Sequence, residues 1–485
     1  MISFSLCLLL LIGGYFIYGR MVEHLFKPDD RETPAFKSKD NVDYMPLPTW
    51  KVFMIQFLNI AGMGPIFGAI MGAQFGTYSF LWIVFGCIFA GAVHDYLSGM
   101  ISLRKNGATL SEIIGDELGK RVKIIFNIFI IVLLLLTTAI FVSSPASILV
   151  NMFSSISFVQ WMCIIFSYYI IATLLPIDKI IGSIYPVFAI ALFFMVIGLL
   201  LMIFLQHHNL PEMWNGFGEK YDSAPVFPVM FISIACGAIS GFHATQSPLM
   251  ARCIQHERRG RFVFYGAMIT EGIVALVWAA AATQFFNENG TTFTNEAGVS
   301  VPYSAAQIAN FIATTWLGRI GAILAILGIV IAPITSGDTA LRSCRLTVSS
   351  IFKLPQKKMW HRILITIPLS LIAISIIIWS LKGADSFKII WRYFAWSNQT
   401  ISVFTLWAIT LYLAKRGKNV FFSLIPALFM TMVSVVYICI SNEGFKLPYS
   451  LGIAIGFVCV IISIIVFAFW LKKYKKEQWD MQEND

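Results

Sequence analysis

Residues 59–65 read Asn-Ile-Ala-Gly-Met-Gly-Pro, in the middle of an apolar run from 52 to 75 that would otherwise cross a bilayer as one helix. Proline has no N–H to give and its ring collides with the preceding turn, and glycine weakens a helix from within, so the run should break at mid-depth. In hydrocarbon such a break is tolerated only where the freed backbone groups face protein, a cavity or a ligand. The run from 228 to 250 repeats the feature: residues 236–243 read Cys-Gly-Ala-Ile-Ser-Gly-Phe-His. Two interrupted helices of this kind decide the fold.

Outward from these breaks, runs of the length a bilayer demands occur at 2–19, 52–75, 79–103, 122–143, 158–176, 181–205, 228–250, 262–286, 317–337, 362–381, 389–412, 419–440 and 449–471. The chain is therefore expected to be all-α, a polytopic membrane protein with about thirteen spans. The broken runs are the second and the seventh. An odd offset means that they thread in opposite directions, the arrangement of a five-plus-five inverted-repeat core of the LeuT/APC-like kind, where broken helices in corresponding positions mark the binding site. The implied division is 1–50 for an N-terminal helix and linker, 51–205 for the first repeat, 206–412 for the second, and 413–485 for two added helices and a tail. Ordinary close packing of Gly-rich helices is the plainer reading of either break alone.

Composition agrees. Of 485 residues 58% are hydrophobic and 12% charged, and the mean hydropathy is +0.77. A globular chain carries about twice that charged fraction, so a soluble enzyme, a nucleic-acid-binding domain and a disordered scaffold are excluded as readings. The formal charge of +10 is explained by position: 29 of the 35 Lys and Arg fall in alternate loops, 20–51, 104–123, 177–180, 251–261, 338–362, 413–418 and the tail from Lys472. The others, Lys220, Arg319, Lys382, Lys388, Arg392 and Lys446, are spread over the opposite side. By the positive-inside rule the N-terminus is outside and the C-terminus cytoplasmic, with a basic surface toward acidic lipid and no need of a nucleic-acid partner. The first run lacks a basic n-region and a cleavage site and reads as a retained helix. The segments Arg20–Asp43 and Ala108–Lys120 read as polar surface pieces, and Pro302–Trp316 as a short helix along the membrane. Eight cysteines without framework spacing imply neither disulfides nor zinc.

Only Asp95 and Glu271, among 25 acidic residues, fall well inside a run, with Asp338 at the inner end of another. A carboxylate there needs a partner or a proton, so Asp95, beside His94, and Glu271 are candidate proton carriers; a structural hydrogen bond to a neighbouring helix is the bland alternative. His243 either titrates or bonds a carbonyl freed by the break. The ninth run ends Ala332-Pro333-Ile334-Thr335-Ser336-Gly337-Asp338-Thr339, a set of hard oxygen donors that suits a sodium ion as well as it suits helix packing. No nucleotide-binding loop, nucleophile elbow or zinc-protease motif is found, and His207 and His208 have no third ligand in register, so an ATP-driven pump and a membrane hydrolase are disfavoured.

Four strings, FLNIAGMGPIFGAIMGAQFG (57–76), AGAVHDYLSGMISLRKNG (90–107), PITSGDTALRS (333–343) and WRYFAWSNQT (391–400), resemble the carbon starvation protein A (CstA) family of bacterial inner-membrane transporters over most of the chain. The resemblance implies uptake of peptides or small carboxylates such as pyruvate under starvation, by symport with protons or another cation, and kinship with the APC superfamily. It places Gly62, Gly64 and Pro65 at the interrupted helix, with Thr335, Ser336 and Asp338 facing it. The sequence reading is thus a secondary transporter, not an enzyme. Asn59, Gly62, Gly64, Pro65, Gly237, Gly241 and His243 are the candidate substrate residues, and Asp95, Glu271, Thr335, Ser336 and Asp338 couple H⁺ or Na⁺. No organic cofactor is implied; the partners are a small-molecule substrate and membrane lipid. A cation-coupled amino-acid permease, a transporter-like nutrient sensor and a channel are the rivals.

Overall fold

Within hydrocarbon a single segment can pair all its backbone groups only as a helix, and the apolar runs fold accordingly. The computed structural model describes residues 1–153, 155–175, 181–206, 210–218, 225–294, 300–381 and 384–483. The loop 177–180, His207, His208, Lys220 and Lys382 lie outside the described residues. In chain order the helices are α1 (Ile2–Phe16), α2 (Tyr18–Phe26), α3 (Thr49–Ile60), α4 (Gly64–Phe75), α5 (Tyr78–Arg104), α6 (Leu110–Leu118), α7 (Lys120–Met152), α8 (Phe158–Leu174), α9 (Ile181–Leu205), α10 (Val226–Ser233), α11 (His243–Ala251), α12 (Glu257–Asn289), α13 (Ala305–Trp316), α14 (Gly318–Phe352), α15 (Met359–Ser380), α16 (Ala384–Lys415), α17 (Phe421–Ile440) and α18 (Tyr449–Glu483).

Helix covers most of each of the thirteen apolar runs among the described residues. Among the described residues eight helices are long and apolar enough to cross a membrane, and the bent pair α3–α4 makes nine. The fifth, seventh, ninth and eleventh runs are not in that set, the seventh because its interruption leaves only α10 and α11, of eight and nine residues.

Local signals set several ends. Thr109 and Glu112 form a capping box that starts α6, and Ser304 and Gln307 do the same for α13, satisfying N–H groups the first turn leaves orphaned. Before α13 two three-residue strands, β1 (Thr292–Thr294) and β2 (Ser300–Pro302), pair antiparallel, too short for alternation to announce.

The alternate loops rich in Lys and Arg meet on one face. The Met45 and Leu47 N–H groups donate to the carbonyls of Arg252 and Cys253, the Tyr44 hydroxyl donates to the Asn106 carbonyl, Arg104 donates to Lys27 and Glu257, and Lys415 donates to Glu117. On the opposite face Thr77 N–H donates to Phe217, and the Ser3 hydroxyl to Glu212. The pair α3–α4 therefore runs from the basic face to the other, and α10–α11 runs back. The segment before α3 departs from its reading as surface. The helix continues as α2 to Phe26, and Asp43 is buried, because Arg342 needs a counter-charge there.

Candidate transport site at two facing helix breaks

The first break is a 55° bend between α3 and α4 at Ala61–Met63, just before Pro65. The second leaves residues 234–242 without regular helix between α10 and α11. They are in direct contact. A methyl group added at Gly64 would sit 2.2 Å from the Cys236 Cβ, and one at Gly237 would sit 3.8 Å from the Pro65 Cα. Gly62 is pressed against the Phe141 ring and the Ser336 hydroxyl, and Gly241 against the α16 backbone at Asn398 and Ser402. The small residues are there because two backbones approach each other.

The freed backbone of the second break is paired by Asn398. Its side-chain oxygen accepts from the Phe242 N–H at 2.7 Å and the Ser240 hydroxyl at 3.0 Å, and its own carbonyl accepts from the Gly241 N–H at 3.1 Å. Asn398 lies in the WRYFAWSNQT string but is not among the candidate site residues, because the neighbouring Ser397, Gln399 and Thr400 leave its amide undistinguished in the sequence.

Three of the predicted residues come together beside that break. His243 opens α11, its Nδ1 is 2.9 Å from one Asp95 oxygen on α5, and its Nε2 is 3.4 Å from Glu271 on α12. The other Asp95 oxygen takes His94 Nδ1 at 2.7 Å. All four side chains are fully buried. His243 therefore bonds a carboxylate, not a carbonyl. His243 Nε2 and both Glu271 oxygens have no hydrogen-bond partner among the described residues, so Glu271 stands beside His243 in contact without a bond, while His94 and His243 share the Asp95 carboxylate.

The ninth run supplies a second polar cluster. The Ser336 hydroxyl donates to the Leu58 carbonyl at 2.9 Å, and Thr335 approaches the same oxygen at 3.5 Å while bonding Ala332 at 2.8 Å. Leu58 lies in the last turn of α3, where the bend leaves its carbonyl without the usual helical partner. Asp338 does not join this group. Two residues past Ser336 is about 200° around a helix, and its carboxylate instead accepts from Tyr168 at 2.7 Å and Tyr185 at 2.6 Å. The two tyrosines had no distinguishing sequence signal among sixteen.

Asn59, in the last turn of α3 before the first break, is fully buried, and neither its amide oxygen nor its nitrogen has a hydrogen-bond partner among the described residues. The side-chain oxygens of Gln56 and Gln246 are in the same condition, on α3 and on α11, which packs against it. Unpaired buried amides are rare in proteins because each costs about 1–3 kcal/mol, so these three side chains make the packing of α3 on α11 unusually polar for its burial. No group of three or more His, Cys, Asp or Glu among the described residues could hold a metal ion.

The family model described as "Carbon starvation protein CstA" matches residues 1–158 and 145–315. An uncharacterized membrane protein of Haemophilus influenzae is 43% identical over 339 residues, covering 59% of this chain and 91% of its own. The peptide transporter CstA of Bacillus subtilis is 29% identical over 58% of this chain and 57% of its own length. The pyruvate/proton symporter BtsT of Escherichia coli is 28% identical over 52% and 44%. The chain thus spans about half the length of these named transporters. In fold it is similar to a manganese transporter of Eremococcus coleocola (TM-score 0.55, 15% identity, 90% of this chain and 99% of that one) and to a Na⁺-coupled sialic acid symporter (TM-score 0.53, 14% identity, 93% and 96%). MhsT in complex with L-phenylalanine superposes at TM-score 0.54 with 14% identity, over 84% and 98%. The architecture is that of LeuT-like transporters.

Proposed function

Because the chain belongs to the carbon starvation protein CstA family, we propose that it is a proton-coupled symporter that imports a small carboxylate or a peptide through a site between the two helix breaks. The observation that carries the reading is His243. It is the first residue of the helix after the second break, and it touches both buried acids. A proton gained or lost by the Asp95–His243–Glu271 chain changes the charge at that helix end, and with it the spacing of α11 from α5 and α12. Protonation and the geometry of the break are thereby linked.

The substrate carboxylate binds at the N-terminal ends of α4 and α11, whose dipoles favour an anion, with Asn59 and Gln246 taking its polar remainder. Gly64 and Cys236 are in contact in this conformation, so admission of substrate requires the breaks to separate, as in rocking of one bundle against the other. The basic face is cytoplasmic in this scheme, which places the N-terminus outside and the C-terminus inside the bacterial inner membrane.

Sodium coupling is the second reading, favoured by the Leu58 carbonyl meeting the hydroxyls of Ser336 and Thr335. Proteoliposome uptake decides between them: accumulation of labelled pyruvate, dipeptide or alanine under an imposed pH gradient without sodium supports the proton reading. Accumulation that demands sodium transfers the role to Thr335 and Ser336. Tight binding with no counterflow of any of the three substrates overturns transport in favour of a nutrient sensor.

A further inference from the structure

Asp338 is 1% exposed on α14, and no ion pair among the described residues reaches it. The one cation that bears on it is Arg342, a turn further along the same helix, and that guanidinium is held by Asp43 and by the carbonyls of Ala172 and Leu175. The titratable groups facing Asp338 are the phenols of Tyr168 and Tyr169 on α8 and of Tyr185 on α9. Among the described residues α3, α7, α11, α13 and α15, which also pack on α14, bring it no charge. A buried carboxylate without a counter-charge is costly, so charge balance favours a neutral carboxyl group here.

Counting protons gives the same answer. The Tyr185 hydroxyl oxygen lies 2.7 Å from the Thr335 carbonyl and 2.6 Å from Asp338 Oδ1. Each distance is that of a full O–H···O bond, and a phenol has one proton to give. Taken singly, either contact can have Tyr185 donating; taken together they need a second proton, which the carbonyl cannot supply. Tyr169 shows what a single proton does between two carbonyls: it is 2.7 Å from Phe141 and 3.2 Å from Pro333. The second proton therefore sits on Asp338 Oδ1. Asp338 donates to Tyr185, Tyr185 donates to Thr335, and Oδ2 accepts from Tyr168 at 2.7 Å.

We propose that Asp338 is a second proton-binding site of this chain, separate from Asp95, His243 and Glu271, and that loss of its proton releases the Thr335 carbonyl beside the first break. The proton passes to water when the helices around it part. The carboxylate left behind takes the Tyr185 hydroxyl, so the bond from Tyr185 to Thr335 breaks and one from Tyr185 to Asp338 forms. Thr335 and Ser336 meet the Leu58 carbonyl at the end of α3, so the exchange is felt at the bend. Binding of the proton follows from these contacts alone; its use in coupling rests on the symport reading.

The test is infrared spectroscopy of the full chain in detergent, read in the carbonyl stretch of protonated carboxyl groups between about pH 5 and about pH 10. The unaltered chain is expected to lose one such band on alkalinisation, a band missing from Asp338→Asn at every pH and retained in Glu271→Gln. Tyr168→Phe and Tyr185→Phe, which remove a donor to the carboxyl and an acceptor from it, should shift the band without abolishing it. Identical bands in Asp338→Asn and the unaltered chain overturn the proposal, as does a band that persists to about pH 10 or one that Glu271→Gln removes. An asparagine amide can donate to Tyr185 and accept from Tyr168, so Asp338→Asn keeps the neutral arrangement. Should it nevertheless fail to fold, the tyrosine variants decide: carboxyl bands indifferent to both overturn the proposal. Failure of the symport reading is seen in uptake and leaves this spectrum as expected.

Discussion

His243 reaches across the second helix break to Asp95, Nδ1 to carboxylate oxygen at 2.9 Å, and so ties the start of α11 to α5. If this contact carries the coupling proton, removing charge while keeping shape should separate two activities. Asp95→Asn and Glu271→Gln are expected to lower accumulation under an imposed pH gradient about tenfold or more, on the scale of one lost charged interaction. Counterflow exchange at equal pH should persist. Parallel loss of both activities in protein that remains monodisperse would make the contact structural and remove it from the coupling.

The contact between the breaks leaves no room at Gly64. A Cβ there lies 2.2 Å from that of Cys236, and both belong to backbone segments that cannot swing aside as a long side chain does. Gly64→Ala should cost about 1–3 kcal/mol, the range for overpacking, and abolish transport. Cys236→Gly removes the clashing atom, so the double variant should be less damaged than the sum of the singles, by about 0.5–3 kcal/mol in a double-mutant cycle. Simple additivity in thermal unfolding would place the two residues out of contact.

Asn398 holds the unwound strand by its side chain and its backbone at once. Asn398→Leu leaves the Phe242 N–H and the Ser240 hydroxyl without that acceptor, a loss of about 1–3 kcal/mol per buried group. Hydrogen exchange at Gly241–His243, followed by mass spectrometry, should rise in this variant well before exchange in α12 does. Equal protection in Asn398→Leu and the unaltered chain would show that the break has another support.

How much of this was legible follows from the range of each signal. Gly62, Gly64, Pro65, Gly237 and Gly241 announce the breaks because helix disruption is a local property of glycine and proline. Asp95 and Glu271 stand out because a carboxylate in an apolar run is rare. The partnerships are not local. Nothing near Asp338 in the chain indicates that Tyr168 and Tyr185 will claim it, nor that Ser336 and not Asp338 will meet Leu58, until helical phase and the packing of α14 on α8 and α9 are known. Asp43 sits in a polar linker that reads as solvated, and only the arrival of Arg342 from 299 residues away buries it. The paired strands at 292–294 and 300–302 fall below the length at which alternation is informative.

Ser336 tests the alternative cation. Its hydroxyl donates to the Leu58 carbonyl, and an ion seated there would take the oxygens of both. Ser336→Ala costs one hydrogen bond, about 1 kcal/mol. Under sodium coupling the concentration of sodium giving half-maximal uptake should rise about tenfold or more, whereas under proton coupling the uptake driven by pH should be nearly unaltered.

Asp43 gives the pH-dependent prediction, and its sign follows from the charges around it. Burial alone pushes the carboxyl up, but Arg345, Arg342 and Arg252 together overcome it and hold the group below the usual carboxylate range. A carboxyl with a lowered folded value stabilises the protein above its unfolded value, about 3.9, and loses that contribution as pH falls through the folded one. Removing one partner of a buried ion pair costs about 3–5 kcal/mol, so Asp43→Asn should unfold at a clearly lower temperature than the unaltered chain at pH 7. The gap should hold down to about pH 5 and narrow below about pH 4. Other carboxylates titrate alike in both proteins and cancel in the difference. Scanning fluorimetry in detergent reads the gap directly, and a gap that widens on acidification would mean that the arginines do not keep Asp43 charged.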